Sequence, residues 1–150
     1  MSTTTPAAET AIRSTPSDLR RLAPRRVVSA LWLFAILNYI YCDVFGSLDP
    51  VNLRAAVNGD GAGGIELTQG ALLTAAVLMT IPMGSVLATR IAPFRFARWS
   101  AVVAGIVMTL VQVASLFVGG LTMYYAYFSA IEIATTATIV VIAWRWRAEG

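Results

Sequence analysis

The sequence predicts an all-α fold, a membrane-embedded four-helix bundle with both termini on the cytoplasmic side. Three observations predict it. Hydrophobic residues fill 57% of the 150 positions and charged residues 13%, with a mean hydropathy of +0.70, against about 25% charge in a soluble domain. Apolar runs recur at about 27–45, 67–89, 99–118 and 121–144, each near the roughly twenty residues that cross a hydrocarbon core. Arginine is shared unevenly among the segments that flank these runs, as the positive-inside rule requires of a protein with a fixed orientation.

Residues 1–26 are rich in Thr, Ser, Pro and Ala and hold Arg13, Arg20, Arg21, Arg25 and Arg26. They read as a disordered cytoplasmic arm, with a short surface helix from Ser17 to Leu22. The first apolar run follows a long polar arm and precedes no A-x-A site, so it reads as a retained anchor rather than a cleaved leader. Bulky Tyr41 before Cys42 argues against a lipoprotein. Residues 27–150 then form the transmembrane domain. The connection over 46–66 opens with Asp49-Pro50, an N-cap followed by proline at the first helical position. That pair predicts a short helix to about Val57, ended by Asn58-Gly59, with the glycine-rich stretch to Gly64 as a linker. In the second run, Pro82 with Gly84 predicts a kink. Gly119-Gly120 forms a tight turn that makes the last two runs antiparallel neighbours.

Orientation follows from the arginines. Five lie in the arm, Arg90, Arg95 and Arg98 lie between runs two and three, and Arg145 and Arg147 lie in the tail. The other side holds Arg54 against Asp49, Asp60 and Glu66. All four Trp fall toward the cytoplasmic ends and all five Tyr in the outer half, which reads as an interfacial tryptophan belt. Small residues at four-residue spacing, Ala97, Ala101, Gly105 and Thr109 in run three and Ala126, Ala130, Ala134 and Thr138 in run four, predict close helix contacts. These rows either face each other or serve a contact between copies.

The composition excludes much chemistry. There is no His, one Cys and no Lys among the eleven basic residues. Imidazole metal sites, histidine catalysis, an intrachain disulfide and Schiff-base chemistry are therefore outside this chain's means. It has no G-x-G-x-x-G, phosphate loop or G-x-S-x-G elbow. No cofactor and no metal is expected, an enzyme is the less favoured reading, and the low charge excludes an ordinary nucleic-acid binder despite a pI near 9.5. The expected partners are the lipid bilayer, a second copy of the chain, and a small molecule or ion.

Glu132 is the most informative residue. A carboxylate at the bilayer centre costs about 3 kcal/mol on the lenient insertion scale, so it is expected to face the bundle or water. Counted from Arg145, Arg26 and Arg98, the residues Glu132, Asn38 and Gln112 lie about 20, 18 and 21 Å deep. Three runs thus place their most polar interior residue at one level. Tyr125, Ser129, Glu132 and Thr136 share a helical face by their spacings of four, three and four. Asn38, Tyr41 and Cys42 are expected to share another, with Asp43 slightly offset toward the outer surface. A polar cleft running inward to Glu132 satisfies both patterns. Asn38 and Gln112 taken singly read as interhelical glue. Asp43 and Asp49, with Glu66, read as helix-end and capping groups ahead of a cation site, and Cys42 as an inert small residue.

The stretch Leu31-Trp32-Leu33-Phe34 through Asn38-Tyr39-Ile40-Tyr41-Cys42-Asp43-Val44, ending at Asp49-Pro50, resembles a signature of an uncharacterised family of small four-helix bacterial inner-membrane proteins. The resemblance is densest over residues 28–50. It implies an inner-membrane location and a role for Asn38, Tyr41 and Asp43, and it supplies no substrate. Similarity to the four-helix DoxX-like proteins rests on architecture alone and is an analogy. The small multidrug transporters carry their membrane carboxylate in the first helix, whereas Glu132 lies in the fourth run. The leading expectation is a small-solute or ion transporter or binding protein that uses Glu132. The alternatives are a non-catalytic membrane subunit or scaffold and a DoxX-like redox accessory.

Overall fold

The computed structural model describes residues 16–61, 64–118 and 121–147. Five helices make up its regular structure: α1 (Pro16–Leu48), α2 (Pro50–Val57), α3 (Gln69–Ile91), α4 (Phe94–Ser115) and α5 (Met123–Arg145). Four of them are long and apolar enough to cross a membrane, over Pro24–Leu48, Gln69–Ile91, Phe94–Ser115 and Met123–Arg145.

Two helices start earlier than their apolar runs. α1 begins at Pro16 and passes through Pro24, so the later part of the arm is helical; the arm's expected disorder over 1–15 lies outside the described residues. α4 begins at Phe94 behind Pro93, which places Arg95 and Arg98 on its first turns instead of in a loop. The cause is the same in both places. Arg, Leu and Ala are strong helix formers whatever their polarity, so a polar flank prolongs the helix that an apolar run starts. The Gly119-Gly120 turn lies outside the described residues.

α2 forms as its cap predicts. Asp49 Oδ1 accepts from the Val51 amide at 2.9 Å, Pro50 takes the first turn, and Gly59, at φ 89°, follows its end. Asn52 ties α2 to the bundle by donating to the Gly46 carbonyl (3.1 Å) and to the Tyr124 hydroxyl (3.4 Å). Beyond it, residues 62–63 lie outside the described residues, while backbone bonds tie together the segments on either side of them. Gly61 N–H donates to the Ile65 carbonyl, Leu67 N–H to that of Gly59, and Asp60 bridges to Glu66.

The long helices form a ring in which α1 packs on α3 and α5, and α4 packs on the same two. α1 turns Val28, Trp32, Ala35, Tyr39 and Cys42 inward, at alternating spacings of four and three that hold one face of a 3.6-residue helix. The first four of these form one core with Ala101, Val102, Ala104 and Met108 of α4 and Ile139 and Ala143 of α5. Trp32 is completely buried there, and Trp146 is 7% exposed beneath Phe94 and Arg25. Only Trp99 and Trp144 are exposed as an interfacial belt requires.

α4 and α5 approach each other closely. A Cβ on Gly105 would stand 2.6 Å from Val140 Cγ2, which leaves no room for a side chain. The small-residue row of α4 faces this contact: Ala97, Ala101 and Gly105 are buried and Thr109 bonds Thr136. The matching row on α5 does not. Ala130, Ala134 and Thr138 are exposed, because the α5 contact runs through Ser129, Thr136 and Val140, roughly 60° or more around the helix at about 100° per residue.

Arginines fasten one end of the ring. Arg25 of α1 donates to the Ala92 carbonyl at 2.9 Å and lies over the Trp146 ring. Arg90 reaches Ser29 at 2.8 Å, and Arg98 reaches the carbonyls of Ala143 and Trp144 at 3.2 and 2.8 Å. The Ala92, Ala143 and Trp144 carbonyls lie at helix C-termini, where carbonyls outnumber backbone donors; Ala143 also accepts from the Trp146 amide at 3.3 Å, and a cation is favourable beside that end of the helix dipole. These contacts also place the start of α1's apolar span and the end of α5 together.

Candidate functional site

Seen from α5, the buried polar residues divide between two neighbours. Ser129, Thr136 and Val140 point at α4. Gln112 Nε2 donates to Ser129 Oγ at 2.8 Å, and the Thr109 hydroxyl donates to Thr136 Oγ1 at 2.8 Å. The Tyr125 hydroxyl donates to Ser115 Oγ at 2.6 Å. This polar seam joins the two helices, and each bond in it is complete.

Glu132, Thr135 and Ile139 lie farther round α5, at the edge of the seam nearer α1. Glu132 is 1% exposed, and its Oε1 is buried with no hydrogen-bond partner. On α1, the Asn38 Oδ1 and the Tyr39 hydroxyl are likewise buried and without partners among the described residues. Asn38, Tyr39 and Glu132 are carried by α1 and α5, which pack on each other. An unpaired oxygen buried in a packed interior costs on the order of 1–3 kcal/mol. Several together are unusual in a native structure, and the buried Trp32 Nε1 is likewise without a partner.

The expected site residues are thus partly brought together. Asn38, Gln112, Ser129 and Glu132 are all buried. Gln112 and Ser129 satisfy each other, however, and no hydrogen bond among the described residues joins either amide to the Glu132 carboxyl. Tyr125 is half-buried and belongs to the seam. Asp43 is exposed, about 7 Å farther along α1 than Asn38, on the way from the α2 end of the bundle. Asp49 is occupied as the cap of α2.

Tyr41 stands apart. It is 57% exposed, whereas Tyr39 is 5% exposed. At about 100° per residue, Tyr41 points roughly 130° away from the middle of the inward arc set by Val28, Trp32, Ala35 and Cys42. Its expected place beside Asn38 and Cys42 therefore falls to Tyr39. The signal was present in the sequence: Tyr39 lies four residues beyond Ala35 and seven beyond Trp32, the spacing of one buried stripe.

Fold and site together define a class: a chain whose described regular structure is helical, with four helices apolar enough to cross a membrane, that buries a carboxyl on the last of them. The chain belongs to the Family of unknown function (DUF6326), whose model matches residues 21–150, in agreement with the expectation of an uncharacterised family. No curated protein and no solved structure matches it.

Proposed function

We propose that this chain is a multi-pass protein of the bacterial inner membrane, with both termini cytoplasmic, that binds or moves a small solute or ion by proton exchange at Glu132. The observation that carries this reading is the Glu132 carboxyl, 1% exposed and with an oxygen that nothing among the described residues satisfies. Carboxylates at membrane depth are costly and are found lining ion and proton pathways. In this scheme Asp43 passes protons between the outer surface and Glu132, and Asn38 Oδ1 and the Tyr39 hydroxyl supply further oxygens to whatever donor enters. The arginine-rich end supports the orientation by the positive-inside rule. Four helices leave little room for a complete pathway, so the working unit in this scheme is a homo-oligomer.

The test uses purified protein in liposomes loaded with a pH-sensitive dye, under imposed gradients of sodium, potassium or ammonium. Wild-type protein is expected to couple proton movement to at least one of them. Glu132→Gln, which keeps the side chain's volume but cannot exchange a proton, is expected to abolish that coupling with helical content unchanged. No coupling in the wild type, or equal coupling in the variant, overturns the assignment.

The completed seam favours a second reading, of a membrane subunit or scaffold. The Gln112–Ser129 and Thr109–Thr136 bonds hold α4 to α5 without any ligand. On that reading Glu132→Gln is silent in every functional assay and damage at Gly105 is not.

A further inference from the structure

Arg98, Trp144, Arg145 and Arg147 line a cavity of about 600 Å³ at the arginine-rich end of the bundle. The three guanidinium groups differ in freedom. Arg98 is held by its bonds to the last carbonyls of α5, which also offsets the negative end of that helix dipole. Arg145 and Arg147 are exposed, and no Asp or Glu among the described residues lines the cavity. A concentrated positive charge with one fixed and two adjustable forks matches the geometry of a phosphate, whose oxygens accept paired N–H donors.

The surroundings say which phosphate. The cavity sits where the apolar span of α4 starts and that of α5 ends. Trp99 and Trp144 meet edge to face at 6.1 Å beside it, and both are more than half exposed. Tryptophans exposed at the ends of apolar spans belong at headgroup depth. Val103 and Val141, one turn further along each helix, are exposed as well, so an acyl chain leaving the cavity meets apolar surface. A choline headgroup would bring a cation toward three guanidiniums. We infer that this cavity binds the phosphate of an anionic phospholipid. The inference rests on the membrane reading and is independent of Glu132.

The full chain in nanodiscs of phosphatidylcholine, doped with brominated phosphatidylglycerol or brominated phosphatidylcholine, provides the test through quenching of tryptophan fluorescence. Each basic residue near an anionic headgroup is worth about fivefold in affinity. Wild-type protein is therefore expected to prefer the anionic lipid by about tenfold or more. The R145Q/R147Q variant loses that preference, while R26Q/R95Q, with the same charge removed away from the cavity, keeps it. Equal loss in both variants, or no preference in the wild type, overturns the inference. So does suppression of the quenching by millimolar inorganic phosphate at matched ionic strength, which assigns the cavity to a soluble phosphate. A chain that never enters the nanodisc overturns the membrane reading as well, whereas one that enters without preference overturns this inference alone.

Discussion

Among the described residues four buried side-chain oxygens are without partners, on Asn38, Tyr39, Thr122 and Glu132, and they impose a cost that the packing around them has to offset. The Tyr39 hydroxyl offers a clean measurement of it. If no group of the chain satisfies that hydroxyl, Tyr39→Phe removes a penalty and keeps the ring's packing, so stability in detergent stays level or rises by up to about 1 kcal/mol. A loss larger than that shows that the hydroxyl has a bound partner. Glu132 was legible in the sequence because it is the one acidic residue within its apolar run, and an ionisable group there needs a reason. Tyr39 was not legible by type, since Tyr39 and Tyr41 offer the same hydroxyl two positions apart. Only the stripe from Val28 through Trp32 and Ala35 decides which of them faces inward.

Among the elements, the contact of α4 with α5 is the least forgiving. Gly105→Leu has to displace Val140 or push the helices apart, and overpacking of this kind costs about 1–3 kcal/mol. Unfolding followed by circular dichroism is expected to show that loss, and Val140→Ala in the same chain is expected to recover part of it. The α4 row of small residues predicted this contact correctly, and the α5 row did not. A four-residue spacing of alanines says that a helix has a smooth face, without saying what lies against it. Polar residues resolved the ambiguity: Ser129 and Thr136 needed partners, Gln112 and Thr109 provided them, and the alanines turned outward. The four apolar runs and the capped α2 were readable because periodicity and capping are local. The early starts of α1 and α4 were not, because arginine leaves the hydropathy profile while continuing the helix.

For the molecule as a whole, the proposed orientation makes a prediction that needs no ligand. In a Cys42→Ser background, Asn58→Cys is expected to react with a membrane-impermeant maleimide in intact cells, and Arg147→Cys only after permeabilisation. The opposite pattern reverses the topology, and equal labelling of both before permeabilisation removes the membrane-spanning arrangement. The ring order of the helices also bears on what surrounds Glu132. α5 follows the other four helices in sequence, yet it packs against both α1 and α4. On the proposed membrane reading, α1, α3 and α4 wall a trough on three sides that α5 closes. Glu132 then meets protein where it would otherwise meet acyl chains, which spares the acidic group the cost of contact with bare lipid.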